Sequence, residues 1–345
     1  MARIARLARL LAAAAAAGMT GCSTPSAAGD ASDVDDTDSA ADAHPEPDVD
    51  RQGGPITLVV AEAAFTEERL CDFDGDGVGD NAIADLGPPA AGLFAASVTS
   101  ILHGYISEGM RVVIHFPWVD DILAPDDPET TMIMFFGSDG PETWNPSDDF
   151  SGSASLYALA ESLDACGEPT SVLAAGIAGG QLTAEGETFP VPLDSVNGKS
   201  ARATGTLAPA GTSAEVMLCG YLELRDLGRS AGSEGDLTLL EILLAGGEPE
   251  GVPLVAGLTP DVDLDDDGLE RLLLDDEWHI TTCLDGDGTV SSGRDCWDED
   301  RMADAFSVAL ILDAVSASFA GRHPSWQVGA GCEAGMPDQS LFDPR

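Results

Sequence analysis

The chain has 345 residues, 44% of them hydrophobic, which is ample for a sizeable core arranged as one large domain or two small ones. It carries 61 acidic residues against 15 basic ones, a formal net charge of −46, and Lys199 is its single lysine. Such a surface repels phosphate backbones and anionic headgroups, so nucleic acid is excluded as a partner, and divalent cations are the natural relief for the self-repulsion.

Residues 1–21 read as a targeting segment. Arg3, Arg6 and Arg9 form a basic leader, and Leu10 to Gly18 is an apolar run too short to span a bilayer. The run ends in Met19-Thr20-Gly21-Cys22, which resembles the lipobox of bacterial lipoproteins. The resemblance implies cleavage before Cys22, lipidation of Cys22 and attachment to a membrane through that lipid. Ser23 stands where an aspartate would signal inner-membrane retention, which implies an outer-membrane or cell-surface address. An ordinary cleaved secretion signal is the alternative. Residues 22–55 then read as a disordered acidic tether, with Arg51 as its only basic residue and no large aromatic. The folded domain is expected over 56–345.

Ile56–Ala63 reads as an opening strand, followed by the most specific chemistry in the chain, Cys71-Asp-Phe-Asp-Gly-Asp-Gly-Val-Gly-Asp-Asn81. Oxygen ligands at positions 1, 3, 5, 7 and 9 with glycine at 6 are how a backbone wraps calcium. Here Asp72, Asp74 and Asp76 take the first three positions, Gly77 is the turn, Val78 offers its carbonyl and Asp80 sits at 9. Position 12 is Ile83 in place of a bidentate glutamate, and Asp85 is the candidate to close the shell. A cation-free Asp/Gly turn is the plain alternative. The loop resembles thrombospondin type-3 and dockerin-like calcium repeats, which implies an ion and no particular fold.

An amphipathic helix is expected within 81–108, with Phe94, Val98, Ile101, Leu102, Tyr105 and Ile106 on one face and Gly109 at its end. Met110–Val119 and Thr130–Phe136 read as a hairpin with an acidic tip, and His115 lies in its first strand. Leu156–Asp164 fits helix and strand equally. Val172–Leu182, Thr188–Leu193, Ala201–Leu207 and Glu215–Asp226 read as strands, with Gly179-Gly180 and Glu185-Gly186 as turns. Many short strands at this spacing predict a mainly β fold, a β-sandwich or jelly-roll-like core with one or two amphipathic helices, α+β being the alternative. Asp236–Ala245 reads as one such short helix, and Ala305–Phe319 as a long strand.

Two echoes of the calcium loop lie in this C-terminal part. Asp263, Asp265 and Asp267 repeat the 1, 3, 5 spacing before Gly268, with Asp275 or Asp276 as a late ligand. Asp285 and Asp287 precede Gly288, but Cys283 occupies position 1, a poor calcium ligand. Once Cys22 is set aside, six cysteines remain, which fits three disulfides in an oxidising compartment. Cys283 with Cys296 is the one local pairing suggested, because the two bracket an Asp-rich turn; six cysteines otherwise allow fifteen pairings.

With its lipobox, acidic linker, early DxDGDGxxDN loop and late Cys-x-Asp-Gly-Asp-Gly segment, the chain resembles a type of uncharacterised acidic bacterial lipoprotein, a likeness that implies no set activity. Gly228-Arg-Ser230-Ala-Gly232 matches G-x-S-x-G but lacks the strand and helix of a nucleophile elbow. The expected function is a non-enzymatic, calcium-stabilised surface lipoprotein acting as a structural or interaction module towards a protein or glycan ligand. A calcium-dependent carbohydrate-binding module, with Trp118, Trp144, Trp278 and Trp297 beside acidic loops, is the second reading. A secreted hydrolase using Ser230 with His103, His279 or His323 is the third.

Overall fold

The computed structural model describes residues 52–73, 75, 77–87, 90–92, 95, 99, 111–138, 155–191, 196–229, 238–245, 258–266, 268–277, 279–284, 288–292, 304–327, 332 and 342. Residues 22–51 of the expected tether, Cys22 among them, lie outside them; its last four residues do not, and the first strand already begins at Gly54, two residues before the expected start of the folded domain.

The strands are β1 (Gly54–Phe65), β2 (Arg111–Val119), β3 (Asp127–Ser138), β4 (Ser155–Ala158), β5 (Ser171–Ala178), β6 (Gln181–Pro190), β7 (Asn197–Leu207), β8 (Ser213–Glu223), β9 (Arg271–Leu274), β10 (Ile280–Leu284), β11 (Val290–Ser292), β12 (Ala305–Ser316) and β13 (Ser318–Arg322). Eight of them, β1, β2, β3, β5, β6, β7, β8 and β12, pair antiparallel with their neighbours in chain order. β12 returns to β1, with Leu58 opposite Ser316 and Phe65 opposite Leu310, and this closes the ring. The architecture is mainly β, as composition and spacing predict. It is a closed eight-stranded barrel, however, and not the expected sandwich or jelly roll.

Closure turns on β3. Its first part pairs with β5, from Asp127 opposite Ile177 to Met134 opposite Ser171, while its last residues, Gly137 and Ser138, turn away to β4. β13 then extends β4 in parallel. A register shift in the β1–β2 pairing, between Gly54 and Ile56, falls opposite Pro117, which has no N–H to give the ladder.

Alternation places one side chain in two inside the barrel. Leu58, Val60, Ile114, Phe116, Met132, Met134, Phe306, Val308 and Leu310 fill one side of the lumen. The facing wall adds Leu173, Ile177, Leu182, Val216 and Leu218, with small residues Ala175, Ala184, Ala201, Ala203 and Ala214 between them, so the lumen is filled and is a core. The outward positions Gln181, Thr183, Glu185, Arg202, Thr204 and Glu215 are exposed. This is the reverse of a membrane-spanning barrel, whose outside is apolar. The outer face of β1–β3 is the exception. There Val59, Val113, Ile133 and Phe135 form a second core beneath β4, β13 and Phe342. His115 belongs to this face, stacked on Phe319 at 4.7 Å and bonded through Nδ1 to Thr57 Oγ1 at 2.9 Å.

Gly179 and Gly180 do make the two-residue turn expected of them, both at positive φ between Ala178 and Gln181. Glu185-Gly186 is no turn: it sits mid-strand in β6, where a Cβ on Gly186 would lie 2.7 Å from the Val172 carbonyl oxygen. Helix is sparse. α1 (Ala82–Asp85) opens the expected amphipathic segment, whose residues 90–92, 95 and 99 are also helical. Phe94, Val98, Ile101, Leu102, Tyr105 and Ile106 lie outside the described residues. α2 (Leu224–Arg229) and α3 (Leu239–Ala245) follow β8. Between β8 and β12, strands β9, β10 and β11 form a separate small sheet.

Candidate metal centre

The first Asp-rich loop leaves β1 and is clasped to the barrel wall. A disulfide joins Cys71 to Cys219 on the outer face of β8, and both pack with Ala309 of β12, Leu70 and Phe73. Within the loop Asp72 acts as the hub: Oδ1 accepts the Gly75 N–H at 2.6 Å and Oδ2 the Gly77 N–H at 2.9 Å. Gly75 and Gly77 both take positive φ, 76° and 85°, which turns their N–H groups inward at little steric cost. Asp80 closes the loop by pairing with Cys71 and accepting the Phe73 N–H at 2.6 Å. Asp74 and Asp76 lie outside the described residues, and the Val78 side chain is exposed. Asp85 is committed elsewhere, to an ion pair with Arg69, whose Nη1 also bonds the Gly79 carbonyl at 3.1 Å.

Asn81, fully buried, fixes the passage from loop to helix. Its Oδ1 caps α1 by accepting from Ile83 and Ala84, and its Nδ2 donates to the Thr66 and Glu68 carbonyls at 2.8 Å each.

The second loop repeats this geometry. Asp263 is its hub, accepting the Asp266 N–H and the Gly268 N–H at 2.8 Å each, and Asp266 and Gly268 have φ of 62° and 103°. Donors three and five residues on, both from positive-φ residues, therefore meet the first aspartate in both loops. Asp267 lies outside the described residues. Asp263, Asp265 and Asp304 bring carboxylate oxygens within 4.8 Å of one another. Asp304 stands beside Asp263 and Asp265 where Asp275 or Asp276 is expected; Asp275 instead caps the β9–β10 turn, its Oδ1 accepting from Glu277 and His279 at 2.9 Å. Asp304 is fully buried and accepts the Glu270 N–H at 2.6 Å. No local pattern marks Asp304, because it arrives from the start of β12, some forty residues away in the chain.

Three carboxylates this close are costly. Each pair of unit charges at 4.8 Å repels by about 3.5 kcal/mol at an effective dielectric of about 20. Burial, the hydrogen bond to Asp304 and the charges of Asp304 and Asp265 accordingly hold the Glu270 carboxyl well above the usual carboxylate range. Asp304 is raised too, chiefly by burial. The donors are all hard oxygens with no nitrogen or sulfur among them, so the set fits a hard divalent cation and is not selective for calcium by donor type alone.

The two loops are also joined to each other. Asp261, just before the second loop, accepts the Ser307 N–H at 2.7 Å and the Ser307 hydroxyl. The same hydroxyl oxygen accepts the Ala82 N–H at 3.0 Å, at the end of the first loop. Ser307 is fully buried in β12. Burial raises the Asp261 carboxyl to about 7; the two Ser307 bonds oppose this, and the charges of Asp85 and Asp80 add to it. Asp261, Glu270 and Ser307 carry no sequence signal of their own.

The third Asp-rich turn is described only at its margins. Cys283 is buried and disulfide-bonded, and Gly288 takes φ 87°. Asp285, Asp287 and Cys296 lie outside the described residues. A second disulfide joins Cys166 to Cys332.

The catalytic candidates have separate partners. His279 pairs with Glu241 at 3.5 Å, and His323 Nδ1 bonds the Ser325 hydroxyl at 2.6 Å. Ser230 and His103 lie outside the described residues. Of the four tryptophans considered for sugar stacking, Trp118 is half-buried against Gly53 and donates to Asp120 at 3.2 Å. Trp144, Trp278 and Trp297 lie outside the described residues. No protein-family model, curated protein or solved structure matches the chain.

Proposed function

We propose that this protein is a non-enzymatic, calcium-stabilised module, exported and held at an outer membrane or cell surface by lipid on Cys22, which presents a rigid acidic barrel to a protein or glycan ligand. One observation carries the calcium part of this reading. Two Asp-rich loops far apart in sequence share the same hub aspartate, the same pair of inward N–H donors and the same positive-φ positions. Asp72 and Asp80 would hold the first ion, with Asp74, Asp76 and the Val78 carbonyl completing the shell. Asp263, Asp265 and Asp304 would hold the second, with Asp267. The ion supplies charge neutralisation and pins loop to wall; the chain supplies oxygen ligands preset by its own backbone bonds. Affinity is expected on the order of 10⁻⁴–10⁻³ M, as for extracellular modules, which suits a permanent staple.

The test is a thermal melt of the full chain in 10 mM calcium and again in chelator. At a dissociation constant of roughly 3 × 10⁻⁴ M each site adds about 2 kcal/mol. A large domain gains roughly 2 °C per kcal/mol, so two sites raise the midpoint by about 8 °C. Identical midpoints would refute the reading.

A further inference from the structure

The two loops meet at one side chain, and nothing in their separate ligand sets requires this. Ser307 stands on β12 between them, fully buried. Its hydroxyl oxygen accepts the Ala82 N–H, two residues beyond Asp80, and its hydroxyl proton goes to Asp261, two residues before Asp263. The Ser307 N–H holds the other oxygen of Asp261 at 2.7 Å. Around this joint the backbone is pinned on both sides: Val262 bridges Ala305, and the Thr66 N–H bonds the Ala309 carbonyl at 3.0 Å. Arg69 adds a second link, its charge lying among Asp85, Asp80 and Asp261.

We propose that Ser307 couples the two loops, so that an ion held by either one raises the affinity of the other. The proposal rests on the calcium reading above. Filling the first loop fixes Asp80 and, through Asn81, the position of the Ala82 N–H. That N–H orients the Ser307 hydroxyl, whose proton can then point only to Asp261. Asp261 so held sets the start of the second loop, where the hub Asp263 must present its oxygens. The same path runs backwards, and linkage requires the factor to be equal in both directions.

Calcium titration of the full chain by calorimetry tests this with three single variants and two double variants. Asp72→Ala leaves the second loop alone and Asp263→Ala leaves the first alone. In each, the surviving site should bind calcium roughly five- to tenfold more weakly than it does in the wild type with both loops filled, at the low end of measured couplings. Ser307→Ala should keep both ions at a lower melting midpoint, because Asp261 and the Ala82 N–H lose a buried partner, while the surviving-site affinities in Ser307→Ala/Asp72→Ala and Ser307→Ala/Asp263→Ala become equal to those in Ser307→Ala alone. Surviving sites in Asp72→Ala and Asp263→Ala that keep the wild-type affinity overturn the coupling while leaving the calcium reading intact. That arm leaves Ser307 unchanged, so it stands even where Ser307→Ala fails to fold. A wild type that binds no calcium overturns both.

Discussion

Replacing Cys71 and Cys219 together by alanine removes the covalent clasp between the first Asp-rich loop and the barrel wall. The bond closes a span of 148 residues. Cross-linking a loop of that length lowers the entropy of the unfolded chain by an amount worth about 5 kcal/mol at room temperature. Leu70, Phe73 and Ala309 still pack around the two sites in the folded state, so no large folded-state cost adds to this. Stability of the double variant should therefore fall by about 3–5 kcal/mol, read as a lower urea midpoint of the oxidised full chain. The loss has a local signature as well. With the clasp gone, residues 66–81 depend on the Thr66–Ala309 and Ala82–Ser307 bonds, so their amides should exchange faster than those of β5–β7. A wild-type midpoint together with unchanged exchange over 66–81 would overturn this, because the cross-link would then contribute nothing measurable through the unfolded chain.

Other residues make equally specific predictions. Burial lowers His115 from 6.5 to about 4, opposed weakly by the Phe342 and Ile56 backbones. The unfolded chain thus binds the extra proton first, so this stability is complete above pH 6.5 and is lost as pH falls towards 4, by about 3 kcal/mol in all. Urea midpoints at pH 7 and 4.5 should show His115→Phe losing less stability than the wild type over that interval; equal losses would contradict the assignment. A Cβ on Gly198 would lie 2.0 Å from the Phe189 ring, so Gly198→Ala should destabilise by about 1–3 kcal/mol, with Phe189→Leu restoring part of it in the double variant. Asn81→Ala removes a helix cap and two buried side-chain donors at once, and should cost about 2–3 kcal/mol in the same urea assay.

The strands are readable because each carries its own evidence. Val112 to Val119 is dense in β-branched and aromatic residues, and Gly179-Gly180 announces a tight turn. Barrel closure is not readable, because it depends on β3 dividing its partners between β5 and β4. Alternating short strands look the same in a sandwich and in a ring. Gly186 misleads for a related reason: it serves close approach to the Val172 backbone within a strand, and a glycine's local sequence does not separate that use from a turn. The hub positions Asp72 and Asp263 are legible from spacing alone. Asp304 and Ser307 are not, since they lie just before and within β12, and only the folded chain brings that strand beside the two loops. The long-range disulfides Cys71–Cys219 and Cys166–Cys332 obey the same rule: cysteine parity predicts bonds, and topology chooses partners.

Whether the Asp-rich loops hold calcium can be counted by equilibrium dialysis of the full chain against 1–10 mM calcium, followed by elemental analysis of the bound metal. At least two calcium ions per chain are expected, with one fewer in Asp72→Ala and one fewer in Asp263→Ala. No retained calcium, or the same number in both variants as in the wild type, would contradict the calcium reading.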